Sequence, residues 1–314
     1  MNVFVAGATG ALGKQLVPRL VAAGHSVVGM TRTEAKREAL RAMGATPVLA
    51  DALDREQVMR AVAEARPDAI IHELTALSGQ LDMRHFDRAF AQTNRLRTEG
   101  TDNLLAAGRA AGVRRFLAQS YAGWPYARVG ALVKGEDEPF DPNPPAAVRD
   151  GLAALRHLED AVTGAGWAEG IVLRYGGFYG PGTSLDGPGS EHMEAIRKRM
   201  FPLIGDGGGV WSFIHIADAA EATLAALEHG RPGIYNIVDD EPARAAEWLP
   251  ALAQAIGAKP PRRMPLWLGR LLGGEVVTIM MTEVRGASNA KARRELGWAP
   301  KHPSLTGTYA ERAV

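Results

Sequence analysis

The stretch Val3-Phe4-Val5-Ala6-Gly7-Ala8-Thr9-Gly10-Ala11-Leu12-Gly13 runs from a short apolar segment into three glycines spaced Gly-x-x-Gly-x-x-Gly, and leucines at helical spacing follow it. In a turn between a strand and a helix, the first glycine permits the tight turn. The second lets a pyrophosphate approach the backbone, and the third allows close packing of helix on strand. The amino end of the helix offers unpaired N–H groups and partial positive charge to phosphates. The stretch therefore predicts dinucleotide binding, with a merely tight turn as the alternative. The residues expected at the cofactor are Gly7, Thr9, Gly10, Ala11, Leu12 and Gly13.

Short β-branched runs alternate with longer segments rich in Ala, Leu and Arg. This alternation is typical of βα units around a parallel sheet. We therefore predict an α/β fold, a doubly wound Rossmann-type parallel sheet with a smaller C-terminal substrate-binding lobe. The expected division is an NAD(P)-binding Rossmann domain over 1–170 and a mostly substrate-binding lobe over 171–314, from which strands near 171–175 and 234–238 return to the sheet. The other predicted strands are 3–6, 25–30, 47–50, 69–74 and 113–120, and the predicted helices are 11–23, 34–43, 54–64 and 86–111.

Composition narrows the classes of function. The 314 residues are 46% hydrophobic and 23% charged, and 36 Lys and Arg against 35 Asp and Glu leave a net charge of +1. This balance argues against general electrostatic binding to nucleic acid or to an anionic membrane. The absence of cysteine excludes disulfides, Cys-ligated zinc and thiol catalysis, and we expect no metal. No apolar run approaches the ~20 residues of a membrane span and no signal-peptide pattern opens the chain, so we expect a cytoplasmic protein.

The end of the second predicted strand bears on the choice of dinucleotide. NAD sites usually place an acid there to hold the ribose 2′-OH, whereas an Arg accommodates the 2′-phosphate of NADP. Here the strand ends Gly29-Met30-Thr31-Arg32-Thr33 without an acid. The guanidinium of Arg32 suits a phosphate. We therefore expect NADP(H) in preference to NAD(H), with Thr31 and Arg32 at the adenosine end; a solvent-facing Arg32 is the alternative.

Several motifs further along the chain resemble the extended and atypical short-chain dehydrogenase/reductase superfamily, in its NAD(P)-dependent epimerase/dehydratase-like branch. Each motif is weak alone, and their order and spacing together carry the resemblance over nearly the whole chain. They are Asp51-Ala52-Leu53, Ile71-His72-Glu73-Leu74-Thr75, Gly100-Thr101-Asp102-Asn103-Leu104-Leu105, Val172-Leu173-Arg174-Tyr175, Tyr179-Gly180-Pro181-Gly182, Phe213-Ile214-His215-Ile216-Ala217-Asp218 and Glu295-Leu296-Gly297-Trp298-Ala299-Pro300.

The resemblance implies further cofactor contacts. Asp51, with Ala52 or Leu53, would bond the adenine amino group. The segment after the fourth strand would line the cofactor, and the segment after the Leu-Arg pair would reach its nicotinamide end. The resemblance also implies a homodimer through helices near 86–111 and 149–163. The corresponding cofactor residues are Leu74, Thr75, Ala76, Tyr175, Gly176 and Gly177.

The chain departs from the superfamily at its catalytic residues. The usual Tyr-x-x-x-Lys occurs nowhere in the sequence. With Glu159 aligned to the superfamily's trailing Glu, Gly151 stands at the Tyr position and Leu155 at the Lys position. The fifth strand places Tyr121 where the catalytic Ser is expected, directly after Ser120.

Our hypothesis is that Tyr121 replaces the missing acid, with Ser120 as its hydrogen-bond partner. The alternative is Tyr121 as a packing or substrate-wall aromatic residue. Arg97 stands where the superfamily has a helix Asn and is a weaker site candidate, with Asn94 one turn earlier. We expect His72 to be a satisfied core histidine.

Two functions from different classes are compatible with this pattern. The first is an NAD(P)-dependent reductase or epimerase-like enzyme acting on a small carbonyl or alcohol substrate, because hydride transfer belongs to the cofactor. The second is a catalytically silent NADP(H)-binding sensor or interaction protein, which the loss of the Tyr and Lys favours. The glycine-rich C-terminal half favours a ligand cleft and therefore the enzyme.

Overall fold

Seven parallel strands form the central sheet of the computed structural model, which describes residues 1–77, 85–186 and 190–312. The strands are β1 (Asn2–Ala6), β2 (Ser26–Thr31), β3 (Thr46–Leu49), β4 (Ala69–His72), β5 (Arg115–Tyr121), β6 (Glu169–Tyr175) and β7 (Gly233–Ile237). Their spatial order is β7-β6-β5-β4-β1-β2-β3, and every pairing between them is parallel. The predicted Rossmann-type α/β fold is confirmed.

Helices cover both faces of the sheet. In chain order the described helices are α1 (Ala11–Ala22), α2 (Arg37–Ala42), α3 (Arg55–Ala65), α4 (Phe86–Arg95), α5 (Thr101–Ala111), α6 (Arg149–Thr163), α7 (Glu191–Arg197), α8 (Ile216–His229), α9 (Ala245–Ala255), α10 (Leu266–Thr282), α11 (Ala290–Leu296) and α12 (Leu305–Arg312). Helices α1, α8 and α11 bury their apolar residues against one face, and α3, α5 and α6 against the other. Strand β1 is therefore apolar along its whole buried length, as a parallel strand covered on both sides must be.

The strand order reverses at β1, because β2 continues the chain on one side of it while β4 lies on the other. In open parallel sheets, ligands bind beyond the carboxyl ends of the strands at such a reversal. The glycine-rich turn follows β1 at this point, and Glu73 follows β4 beside it. The topology therefore places the predicted cofactor turn at the expected edge of the sheet.

Observed element boundaries differ from the predicted ones by a few residues. Strand β4 ends at His72 rather than at Leu74, and its pairing with β1 ends with Ala6 opposite His72. The predicted helix over 34–43 begins as a 3-10 turn at Glu34–Lys36 and continues as α2. The long predicted helix over 86–111 is continuous through α4 and α5, but a π-helical turn at Leu96–Gly100 widens its middle.

The C-terminal part adds a second, smaller apolar cluster centred on Trp248, Leu249 and Leu252 of α9. Short two-stranded sheets lie outside the central sheet. In one of them Phe213–His215 pairs with Gly177–Tyr179, directly after β6, and in another Val210–Trp211 pairs with Ala243–Arg244. Among the helices within the described ranges, none combines the length and apolar character that crossing a bilayer requires.

Candidate active site

The glycine-rich turn has the geometry that a phosphate requires. Gly7 has a φ of 101°, and a Cβ there would lie 2.6 Å from the carbonyl oxygen of Glu73. A Cβ on Gly13 would collide with the carbonyl oxygen of Gly7, so α1 packs directly on the turn. Helix α1 starts after Gly10 without a side-chain cap and without an acidic residue in its first turn. Its first N–H groups are therefore available to an anion.

The expected adenosine end lies at the tips of β2 and β3. Thr31 is buried, whereas Arg32 is exposed and forms no ion pair with any residue that the structure describes. Asp51 accepts a hydrogen bond from the N–H of Leu53 at 3.0 Å, and the carbonyl of Ala52 accepts one from Asn103 at 2.9 Å. These bonds fix the backbone after β3, and Arg32 presents a cationic group without a partner within the described ranges.

The segment after β4 is held by hydrogen bonds that its backbone N–H groups donate to side chains. The N–H of Leu74 donates to His72, and the N–H of Ala76 donates to Thr93 at 3.1 Å, while Thr75 is exposed. The His72 Nε2 lies within hydrogen-bond distance of Leu96 and Thr101, and burial lowers the pKa of this imidazole to about 4. His72 is the satisfied core histidine that the sequence predicted.

Tyr175 enters the interior of the protein. Its phenol donates to Glu73 at 3.2 Å and lies 2.6 Å from the hydroxyl of Thr223, so only its backbone, with Gly176 and Gly177, faces the edge of the sheet. Burial raises the pKa of Glu73 to about 8, and its Oε2 has no hydrogen-bond partner among the described residues. Sequence reasoning missed Glu73, although an acid inside an apolar strand segment was a visible signal.

Ser120 is hydrogen-bonded to the buried ion pair of Arg174 and Glu159. Its hydroxyl donates to Glu159 at 2.6 Å, and Arg174 donates to both oxygens of the same carboxylate at 2.8 and 2.6 Å. Burial alone lowers the pKa of Arg174, but Glu159 more than compensates, so the net shift is upward. The structure therefore bonds Ser120 to Glu159 and does not bring it to Tyr121 as the expected partner.

Tyr121 ends β5 and borders a narrow cleft. Its ring lies 6.4 Å from that of Trp124, and the other cleft residues are Ala122, Gly123, Val210, Trp211, Ser212, Met280 and Val284. Burial of the phenol raises the pKa of Tyr121 to about 12, and the positive charge of Arg97 partly opposes this shift. A phenol with this pKa stays protonated at neutral pH and is a weak proton donor.

Arg97 occupies the π-helical turn and is 6% exposed. Its Nη1 has no hydrogen-bond partner within the described ranges, and neither has the Oδ1 of the nearby Asn94. Burial lowers the pKa of Arg97 to about 10, with a smaller opposing effect from Tyr121. The sequence made Arg97 a weaker candidate because it stands where the superfamily has a helix Asn, and its burial depends on packing that the sequence does not show.

Gly151 and Leu155, which the sequence alignment places at the superfamily's Tyr and Lys positions, have mostly apolar neighbours. A Cβ on Gly151 would contact Phe86 at 3.4 Å and Trp124 at 3.5 Å, and the Oδ1 of Asn94 is 3.8 Å away. Leu155 is fully buried in an apolar cluster. The ring of Trp124 thus covers Gly151.

A surface depression of about 600 Å³ lies elsewhere. It is lined by Met1, Asp68, Arg114 and Glu169, at the amino ends of the strands. Ligands of parallel sheets bind beyond the carboxyl ends. We therefore place the candidate site at Tyr121 and the glycine turn, not in this depression.

Comparison with known proteins assigns the fold to a family. The model of the NAD dependent epimerase/dehydratase family matches residues 3–238. The chain belongs to this family. It is 46% identical over 310 residues to a 3-diazoavenalumate denitrifying reductase from a Streptomyces species, with 97% of each chain covered. It is 28% identical to a 4-hydroxy-2-methyl-3-oxo-4-farnesyl-3,4-dihydroquinoline-1-oxide ketoreductase from Stigmatella aurantiaca, over 99% of this chain and 96% of the relative.

A solved structure agrees with this assignment. The UDP-glucose 4-epimerase of Thermus thermophilus in complex with NAD superposes with a TM-score of 0.73 at 26% identity, covering 100% of this chain and 98% of the other. The family and the reductases and epimerases among its relatives identify the chain as an enzyme of the NAD(P)-dependent oxidoreductase type. The uncapped α1 and the turn around Gly7 fit the diphosphate of such a cofactor.

Proposed function

We propose that this enzyme is an NADP(H)-dependent reductase that transfers a hydride to a small electrophilic substrate without a tyrosine–lysine proton donor. The Gly7–Gly13 turn would hold the diphosphate, and the exposed Arg32 would pair with the 2′-phosphate. When bound, the reduced nicotinamide supplies the hydride. The protein would position the substrate and exclude water.

The observation that carries this proposal is the covering of Gly151 by Trp124. In place of a phenol activated by a lysine, the site has an indole over a glycine, and Leu155 is enclosed by apolar residues. Tyr121 holds its proton more tightly than free tyrosine. This arrangement suits a reduction in which no proton has to reach the substrate.

Removal of an aromatic diazonium group as dinitrogen is such a reduction, and the 46% identical relative is named a 3-diazoavenalumate denitrifying reductase. The hydride forms a new C–H bond at the carbon that carried the diazonium group. The C–N bond breaks, and dinitrogen leaves with its electron pair. The positive charge passes from the diazonium to the oxidised cofactor, so charge balances without a proton. We therefore propose an aromatic diazonium compound as the substrate class.

Carbonyl reduction is the second candidate, because Tyr121 ends β5 beside the cleft and lies in the electrostatic field of Arg97. Reduction of a ketone produces an alkoxide that needs a proton, which the Tyr121 phenol would donate. The Stigmatella relative is named a ketoreductase. The two candidates thus differ in whether Tyr121 is needed.

The test supplies the enzyme with NADPH carrying deuterium at the transferable C4 position, together with an arenediazonium salt or a ketone. We expect dinitrogen release and deuterium at the former diazonium carbon, with a protein-free control for the direct reaction. Label in an alcohol from the ketone alone would favour the second candidate. Tight NADPH binding without turnover of diazonium salts, ketones or aldehydes would overturn the reductase and favour the silent sensor.

A further inference from the structure

Arg97, which has no ion pair among the described residues, contrasts with three buried or half-buried arginines that pair with acids. Arg174 bonds Glu159, Arg115 bonds Glu169, and Arg128 bonds both Asp141 and Glu283. Arg97 is 6% exposed and has no ion pair among the described residues. Removing a charged group from water is unfavourable unless a partner compensates it.

Among the described residues, the groups around Arg97 are uncharged. The neighbours that interact with it electrostatically are the phenol of Tyr121 and the imidazole of His72. Both are neutral at pH 7, since the pKa of the phenol is raised and that of the imidazole is lowered. Asn94 brings an unpartnered amide oxygen to the same region. Within the described part of the chain, no group supplies a negative charge to Arg97.

We propose that Arg97 binds an anionic oxygen group, a carboxylate or a phenolate, on an aromatic substrate. The ring of that substrate would lie against Tyr121, Trp124 and Trp211, which line a cleft of about 20 Å³ that is too narrow to enclose it. The guanidinium presents a planar fork of N–H donors that matches such oxygens, and aromatic walls favour an aromatic ring. This inference rests on the proposed function, because it gives the reductase its substrate class.

The anion is assigned to the substrate rather than to the cofactor by position in the sheet. The features that suit phosphates are the turn after β1 and Arg32 at the tip of β2. Arg97 instead interacts with His72 at the end of β4 and with Tyr121 at the end of β5, and both strands lie on the side of β1 opposite to β2. Tyr121 also borders the aromatic cleft.

The test measures binding of 4-nitrobenzoate, methyl 4-nitrobenzoate and 4-nitrophenolate to the enzyme loaded with NADP+. The variants are Arg97→Gln, Arg97→Lys and Arg95→Gln. Arg95 is a matched control because it lies two residues away, is exposed and pairs with Glu99. We expect Arg97→Gln to weaken the binding of one or both anions about 10- to 100-fold. The neutral ester and NADPH should change less than about twofold, and Arg95→Gln should change nothing.

The two anions identify the source of the negative charge, because the one that Arg97→Gln weakens more is the group that Arg97 binds. Arg97→Lys should weaken the same anion by an intermediate factor, since it keeps the charge and loses the fork. Equal affinities of the wild type for 4-nitrobenzoate and its methyl ester, with weak 4-nitrophenolate binding, would overturn the inference. Loss of NADPH affinity in Arg97→Gln without loss of anion affinity would also overturn it.

Failure of this inference is distinguishable from failure of the reductase. Equal turnover, in the wild type and in Arg97→Gln, of an arenediazonium substrate that carries no carboxylate or phenolate, with no anion preference in binding, removes the subsite and leaves the reductase. Anion binding that depends on Arg97 without turnover of any substrate removes the reductase and leaves the subsite.

Discussion

Arg174 and Arg97 are both buried at the carboxyl half of the sheet, and they differ in what surrounds them. The guanidinium of Arg174 donates to both oxygens of Glu159, which also accepts from Ser120. Arg97 has an unpartnered Nη1 within the described ranges. The pKa of Arg174 is raised, and that of Arg97 is lowered to about 10.

We infer that Arg174 has a structural role and that the charge of Arg97 is balanced when a ligand binds. A paired charge contributes to the folded state, and loss of one partner leaves the other buried and uncompensated. An unpaired buried charge opposes folding by its desolvation. Arg97 is therefore explained better by binding than by stability, whereas Arg174 is explained by stability alone.

The largest expected effect compares the same substitution at both arginines. We expect Arg174→Met to lower the free energy of unfolding by about 3–5 kcal/mol, because it leaves Glu159 buried without its cation. Arg97→Met should leave that free energy unchanged or raise it slightly. Urea denaturation of the two variants without cofactor measures both values. Similar losses of stability in the two variants would contradict the distinction.

A second prediction extends the comparison to buried carboxyl groups, since Glu159 has a cation and Glu73 has none. The pKa of Glu73 is about 8 in the fold, above the ordinary value of 4.5. The unfolded chain therefore loses this proton first, and the free energy of unfolding falls as pH rises from about 4.5 to 8. We expect Glu73→Gln to stabilise the protein by about 2–4 kcal/mol at pH 9 and by little at pH 5.

Thermal unfolding of the wild type and Glu73→Gln at pH 5 and pH 9 checks this prediction. Asp239 is a second buried acid with a pKa raised to about 8, and it is present in both proteins, so its contribution cancels. A difference in melting temperature that is the same at both pH values would mean that Glu73 does not ionise in this range.

The smallest expected effect concerns an exposed arginine, Arg32. If it pairs with the 2′-phosphate, Arg32→Ala should weaken NADPH binding about tenfold and leave NADH binding nearly unchanged. Calorimetric titration with both cofactors measures the ratio of affinities, and Arg37→Ala, which removes a neighbour already paired with Glu34, is the matched control. An equal loss for NADPH and NADH would remove the basis for the NADP(H) preference.

The glycine turn and the parallel sheet could be predicted from sequence because both depend on short-range patterns. The apolar run of β1, the glycine spacing and the leucines of α1 each signal one element, and their order signals the fold. The absence of the Tyr and Lys could also be read directly from the chain. These features need no knowledge of which residues meet in space.

The partners of the site residues could not be predicted in this way. Ser120 and Tyr121 are adjacent in sequence, yet the Ser120 hydroxyl is bonded to Glu159 on α6 while Tyr121 borders the cleft. Arg97 reads as an ordinary helical arginine until the π-helical turn and the packing of α4 bury it. Pairing and burial of charged groups depend on tertiary contacts that local pattern does not encode.

Transfer of the hydride without a proton donor is the central claim, and a single-turnover experiment tests it most directly. The enzyme is loaded with NADPH and mixed rapidly with an arenediazonium substrate, and oxidation of the nicotinamide is followed by absorbance in the wild type and in Tyr121→Phe. We expect the two rates to agree within about a factor of two, because no proton enters the balance. A fall of about a hundredfold in Tyr121→Phe, with NADPH affinity retained, would contradict the claim and make Tyr121 the proton donor.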